Sequence, residues 1–234
     1  MKIGHNSNMS FEASEFLIPH WRRQHSGEHR LPVAAVVLTV ICLQYILPNE
    51  LSLPFQKIVC MIEAVLLIGV IFLGSMRIST HHFPSRMTGM VLTSIMTLSN
   101  TGSAIKLVDQ LIGGSITNAG HLLWSGGSIW LTNIVIFSLW YWDLDRGGPG
   151  ARAQDLKETP DFLFPQMTDE KYAAPGWHPT FFDYLYISVT NASAFSPTDA
   201  MPLGRWAKLL MMVQSLTSLL MVGLVIARAV NILH

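Results

Sequence analysis

Along this chain, uncharged apolar tracts alternate with short polar joints at a spacing that fits helices crossing a bilayer. Leu31 to Pro48 runs 18 residues without a charge, bounded by Arg30 on one side and by Asn49 and Glu50 on the other. That is close to the ~20 apolar residues a crossing needs, and it is predicted as the first span. Gln56 to Met76 is the second, with Glu63 inside it and with Arg77, His81, His82 and Arg86 closing it. Met87 to Ile116 is the third, long enough to cross but rich in Thr, Ser, Asn and Gly and carrying Lys106 and Asp109, so it is expected to face protein more than lipid. Gly120 to Trp142 is the fourth and ends in Trp140, Tyr141 and Trp142, a cluster suited to the headgroup level. Pro202 to His234 is the last, nearly apolar all round, with no charge between Lys208 and Arg228.

Between the fourth and last spans the pattern changes. Asp143 to His178 carries Gly147-Gly148-Pro149-Gly150, Pro160, Pro165 and Pro175-Gly176, which suit a looped segment outside the membrane. Phe162, Phe164, Tyr172 and Trp177 supply enough apolar surface for it to pack down as an ordered connector. Pro179 to Asp199 then begins as an aromatic, helix-capable stretch and ends small and hydroxylated, with Pro197 forbidding a regular helix there. A full crossing would strand the backbone around Asn191, Ser193, Ser196, Pro197 and Thr198 in hydrocarbon. Non-helical backbone at membrane depth is tolerated only where protein buries it or water lines it, so the segment is predicted to be a re-entrant half-helix and loop.

Composition sharpens this picture. The chain has 234 residues, half of them hydrophobic and only 13% charged, against about 25% in soluble domains. The charges gather in Met1 to Arg30 and in Asp143 to His178. Fifteen basic residues balance fifteen acidic ones, and no basic stripe with interleaved aromatics occurs, which excludes a nucleic-acid partner. Cys42 and Cys60 both lie in apolar tracts and fit no disulfide or metal framework. No charged n-region followed by a short apolar run marks a cleavable signal peptide, so the first span is expected to direct insertion. The fold class predicted is all-α: a polytopic membrane protein with five transmembrane helices plus a re-entrant pore helix and loop. Its parts are an interfacial N-terminal segment (1–30, with Phe11 to Trp21 as a short surface helix), a three-helix membrane region (31–116) and a final module (120–234). That module comprises an outer helix (120–142), connector (143–178), half-helix and loop (179–199) and inner helix (202–234).

The run Leu185-Tyr186-Ile187-Ser188-Val189-Thr190-Asn191-Ala192-Ser193-Ala194-Phe195-Ser196-Pro197-Thr198-Asp199 resembles the pore helix and filter of the potassium channel superfamily. In that family a Leu-aromatic-aromatic-Ser-Val opening leads to Thr-x-Thr-Thr-x-Gly-Tyr-Gly-Asp, then Pro, Leu-Gly-Arg and a long inner helix. Here Asp199, Pro202, Leu203, Gly204 and Arg205 stand in the matching places. The resemblance covers Phe181 to Arg228, with Gly120 to Trp142 as outer helix, and the whole chain resembles a family of bacterial multi-span proteins with this ending. It implies a homotetramer in the bacterial inner membrane, with the lipid bilayer and inorganic ions, monovalent cations foremost, as partners.

The departures redirect the chemistry. A potassium filter binds a dehydrated ion through stacked carbonyls, and its glycines permit backbone angles other residues resist. Ser196 and Thr198 replace those glycines, and Pro197 replaces the tyrosine. Four copies would instead present Asn191, Ser193, Ser196 and Thr198 around the path, with an Asp199 ring at the mouth. Acidic rings favour cations, so a wider, partly hydrated, weakly selective cation pore is the expectation. Asp199 has a second use open to it, bracing the loop through Tyr186. Anion conduction also stays open, because the other lining groups are neutral.

Glu63 and Lys106 are the ionisable residues deepest in apolar surroundings, where charges mark functional sites by default. Counted from their shared loop their heights differ by about 9 Å, which leaves a structural pair, a snorkelling lysine and a proton or ion relay all open. No span carries arginine at every third position, so no voltage sensor is expected. Gly223 and Gly102 are candidates for hinges or close packing. Gly126-Gly127-Ser128 lacks a G-x-S-x-G context, no HExxH-type spacing occurs, and Asp143 to Arg152 departs from the acidic metal motif of phosphatidyl transferases, so those charges are expected to be solvated. No enzyme activity, cofactor or metal is expected. The competing classes are a nonconducting scaffold or sensor with a channel fold, and a small ion- or proton-coupled transporter using Glu63 and Lys106. Orientation is contested: twelve basic residues share the side of the N-terminus and of the loop, against Lys57 and Arg228 opposite. The positive-inside rule makes that side cytoplasmic, whereas the channel resemblance puts the filter mouth outside.

Overall fold

The computed structural model describes residues 18–74, 76–80, 83–114, 118–193 and 200–233. Eight α-helices form among them: α1 Arg30–Ile46, α2 Gln56–Leu73, α3 Phe83–Gly113, α4 Ala119–Leu144, α5 Pro149–Ala153, α6 Pro165–Thr168, α7 Phe181–Ala192 and α8 Arg205–Leu233. Two two-residue ladders tie the ends together: β1 Glu28–His29 with β2 Arg77–Ile78, and β3 Phe162–Leu163 with β4 Met201–Pro202, both antiparallel. The fold is all-α, and α2, α4 and α8 are long and apolar enough to cross a membrane. The expected first and third spans are realised as helices of different character. α1 is an apolar helix of 17 residues that stops at Leu47. α3 has 31 residues, starting four earlier than expected because Pro84 takes the first turn, where a missing N–H costs nothing.

α4 is the axis of the molecule. Two thirds of its apolar window is buried, against about a quarter for α2 and α8, and it packs on α1, α3, α7 and α8. Two cores are strung along it. One gathers Phe137, Tyr141 and Trp142 with Phe162, Phe164, Phe181 and Tyr184; the other, toward the opposite end, gathers Leu122 and Ile129 with Leu51, Leu107, Met221 and Val225. Close approach of helices needs small residues, and here it falls on Gly126, where an added Cβ would lie 2.8 Å from Val225 Cγ2 of α8, and on Gly102, where it would lie 2.8 Å from Leu53 Cδ2. Gly223 has open space at the same test. Gly102 is thus a packing glycine, and in the contact between α4 and α8 the role belongs to Gly126.

The long helices alternate in direction, so the starts of α1, α3, α7 and α8 and the ends of α2 and α4 lie at one end of the bundle. The loop from α1 to α2 and the joint from α3 to α4 lie at the other. The 12 residues of α7 give a rod of about 18 Å, roughly half the length of its neighbours.

Candidate functional site

α7 begins at Phe181, two residues after Pro179. Asp183 in its first turn accepts from both the backbone N–H (2.7 Å) and the hydroxyl (2.8 Å) of Thr180, closing the helix start as a capping-box carboxylate does. The Phe181 N–H donates to Glu28 Oε2 at 2.9 Å, so a carboxylate from the N-terminal strand sits at the positive end of α7. From there the helix descends beside α8, and its polar residues are spent on that contact. Gln214 of α8, fully buried, donates to the Ser188 carbonyl (3.0 Å) and hydroxyl (2.6 Å) and accepts from Tyr141 Oη (2.7 Å) and Asn191 Nδ2 (2.8 Å). Ser188 donates in turn to the Ile134 carbonyl, Asn191 also donates to the Met211 carbonyl, and Ser215 donates to Asn191 Oδ1. Asn133 of α4 extends the row by donating to Ser218.

Gln214 lies about 14 Å along α8 from Arg205, and Asn191 about 15 Å along α7 from Phe181, so the two helices sink to the same level. By Ala200 and Met201 the chain is back at the start of α8, where β4 pairs with β3. Leu203 N–H donates to the Asp161 carbonyl at 2.8 Å, and Trp206 Nε1 to Asp161 Oδ1 at 2.9 Å. Both ends of the loop are therefore anchored to α4, α8 and the connector.

The anchor is a buried charge network that the sequence reading expected to be solvated. Asp145, Arg146 and Arg152 are all but inaccessible, because their partners converge from five segments. Asp145 accepts from the Asp161 N–H (2.8 Å) and from Tyr184 Oη (2.5 Å). Arg152 donates to the carbonyls of Trp142 and Asp145, approaches Glu28 at 3.4 Å and lies over the Tyr184 ring. Glu28 also accepts from Trp142 Nε1. Arg146 binds Asp155, which Arg22 also pairs, and covers the Trp21 ring. Arg146, Gly147 and Gly148 all adopt positive φ (51°, 82° and 95°), which turns the chain sharply off α4. Two consecutive glycines make that turn accessible.

Of the residues singled out in the sequence, Asn191 is buried between α7 and α8 rather than displayed on a pore surface, since its amide is consumed by Met211, Gln214 and Ser215. Ser193 donates to the carbonyls of Val189 and Thr190 at the end of α7, and Tyr186 presents an exposed ring. Ser196, Pro197, Thr198 and Asp199 lie outside the described residues, as do His81 and His82. Glu63 and Lys106 do not meet. Lys106 Nζ donates to the Ser52 carbonyl, so it reaches along α3 toward the α1–α2 loop. Glu63, fully buried, faces the Gln44 amide, and assigning that amide with its nitrogen toward the carboxylate puts the nitrogen 3.2 and 3.3 Å from the two carboxylate oxygens as a donor. Gln56 completes the cluster by donating to Ser99 at 2.8 Å. Gln44, Gln56, Ser99 and Gln214 carry no motif in the sequence, and polar side chains inside otherwise apolar helices are the available signal; Tyr141, expected at the headgroup level, is instead fully buried. Among the described residues no group of three or more His, Cys, Asp or Glu could hold a metal ion.

On the outer face, His25 stacks on His178 with ring centroids 3.6 Å apart, and the Gly27 N–H donates to His25 Nδ1. Burial first, then the neighbouring His178, Arg152 and Arg146, push the His25 imidazole down from 6.5 to about 4. The folded state thus refuses a proton that the unfolded state binds between pH 6.5 and 4, and His25 costs stability as pH falls through that window. Thermal unfolding of the wild-type protein is expected to drop between pH 6.5 and 4 by more than that of His25→Gln; equal slopes would remove His25 as a cause.

The chain matches no known family model, no curated protein and no solved structure.

Proposed function

We propose that this chain is the protomer of an ion-channel-like membrane protein, a weakly selective cation pore assembled from four copies around the loop after α7. In this reading α1 to α4 and α8 are the five spans, and α7 with the following loop is re-entrant. One observation carries it: α7 is a half-length helix tied side chain by side chain to the upper half of α8, and the chain after it is back at its level of entry by Met201. The polar face of α7 is used to hold that depth, so conduction falls to the loop side chains Ser196, Thr198 and Asp199 and to Ser193 at its entrance. Selection by an acidic ring and passage of a partly hydrated ion follow from that lining.

Reconstitution into planar bilayers under a cation gradient tests the reading. Discrete currents are expected, with a reversal potential that moves toward zero in Asp199→Asn because the mouth loses its negative ring. An intact tetramer silent to all ions would overturn conduction in favour of a scaffold. Uptake abolished by Glu63→Gln and indifferent to Asp199→Asn would overturn it in favour of a transporter.

A further inference from the structure

A crevice of about 100 Å³ opens between α1, α2, α3 and α4 at the end of the bundle where the basic residues gather. Its walls are apolar, with Val37, Leu67, Ile71, Leu92 and Leu139 among them, and its charged lining consists of Arg30, Arg86 and Asp143. Arg30 opens α1 and donates to the Val70 carbonyl at 3.1 Å; Arg86 closes the first turn of α3 and approaches Asp143 at 3.7 Å. Among the described residues the rim carries two guanidinium groups and one carboxylate, Arg86 also donating to the Asp143 carbonyl at 3.3 Å, while Val37 on the wall lies about 10 Å deeper along α1. Gly89 faces the space between them: a Cβ there meets nothing within 4 Å, although the residue lies on a helix packed against α2, α4 and α8.

We propose that this crevice is a binding site for one anionic phospholipid, with the phosphate at Arg30 and Arg86 and the first carbons of one acyl chain along the apolar walls. The occupant follows from the order of the groups. A cationic rim above an apolar slot complements an anionic amphiphile, and the rim stands at helix termini, where headgroups lie. Arginine matches a phosphate with a planar fork of donors. Among the described residues eleven lysines and arginines share this end of the molecule, which the positive-inside rule assigns to the leaflet richest in anionic lipid. The site is independent of the loop after α7, because no part of α7 or α8 lines it.

Native mass spectrometry of the full-length protein in detergent, titrated with dioleoylphosphatidylglycerol or dioleoylphosphatidylcholine, tests the assignment. One phosphatidylglycerol per protomer is expected to persist at collision energies that strip phosphatidylcholine. The Arg30→Gln/Arg86→Gln double variant should weaken it by roughly thirtyfold, at about one factor of five per arginine. Gly89→Leu should weaken it comparably with both arginines intact, since a Cβ at Gly89 meets nothing within 4 Å and the rest of the leucine occupies the slot. Equal retention of the two lipids overturns the proposal. Unchanged phosphatidylglycerol binding in Gly89→Leu overturns it as well, even where the arginine variant binds less, because the phosphate would then be held without the crevice. The Gly89 variant also keeps the test decisive if loss of Arg86 disturbs folding.

Discussion

Asp145→Ala is expected to destabilise the folded protein by about 3–5 kcal/mol, the range for removing one member of a buried ion network. Against a total of about 5–15 kcal/mol that is a large share, and accumulation of the variant in the membrane should fall sharply. The carboxylate has no access to water and two donors depend on it, the Asp161 N–H and Tyr184 Oη. Its loss leaves both unpaired and removes a negative charge beside the buried guanidinium groups of Arg146 and Arg152, a desolvated imbalance that packing cannot repair. Asp145→Asn keeps an acceptor oxygen but not the charge, so its loss should be intermediate. Thermal unfolding in detergent of the three proteins should rank wild type, Asn, Ala; coincident transitions would show that the network is not what fixes this end of the bundle.

This residue also marks where sequence reading reached its limit. Apolar periodicity located each long helix to within a few residues: Gln56 and Gly120 stand at or one residue from the observed starts of α2 and α4, and Phe181 opens α7 inside the stretch expected to hold a half-helix. Those elements are local consequences of apolar content, capping and proline placement, and such signals lie within a few residues of one another. Burial of Asp145, Arg146 and Arg152 is a different kind of fact. Glu28 is 124 residues from Arg152, and Tyr184 is 39 from Asp145, so a segment dense in charge and glycine carries the same local pattern whether water or protein surrounds it. The same holds for Glu63, whose partner Gln44 belongs to another helix, and for the choice of Gly126 over Gly223 at the contact of α4 and α8. Asn191 shows the same limit: a polar residue at the end of a half-helix suits a water-lined surface and a helix–helix hydrogen bond equally, and its bond to Gln214 could not be read from its own neighbours in the chain.

Gln214 is accordingly the position where a single substitution should act most directly on α7. Gln214→Leu keeps the side-chain bulk and the apolar character of α8 but leaves Tyr141 Oη and one donor interaction of Asn191 without their acceptor, and removes two bonds to Ser188. Each buried polar group left unpaired costs about 1–3 kcal/mol, moderated in a membrane, where single interhelical bonds average about 0.6 kcal/mol. A loss of roughly 2–4 kcal/mol in the docking of α7 is expected, read as faster hydrogen exchange of the amides from Ile187 to Ala192 with α1 to α3 unchanged. Asn191 and Ser188 keep bonds to the Met211 and Ile134 carbonyls, so α7 should loosen rather than detach. Tyr141→Phe supplies the control. Removing the hydroxyl together with its acceptor avoids the stranded donor, so Tyr141→Phe/Gln214→Leu should be less destabilised than the two single losses added together, with a coupling of about 1 kcal/mol. Strict additivity would mean that the hydrogen bond from Tyr141 to Gln214 contributes nothing to seating α7. The depth of that helix would then rest on the bonds of Ser188 and Asn191 and on its packing against α4 and α8.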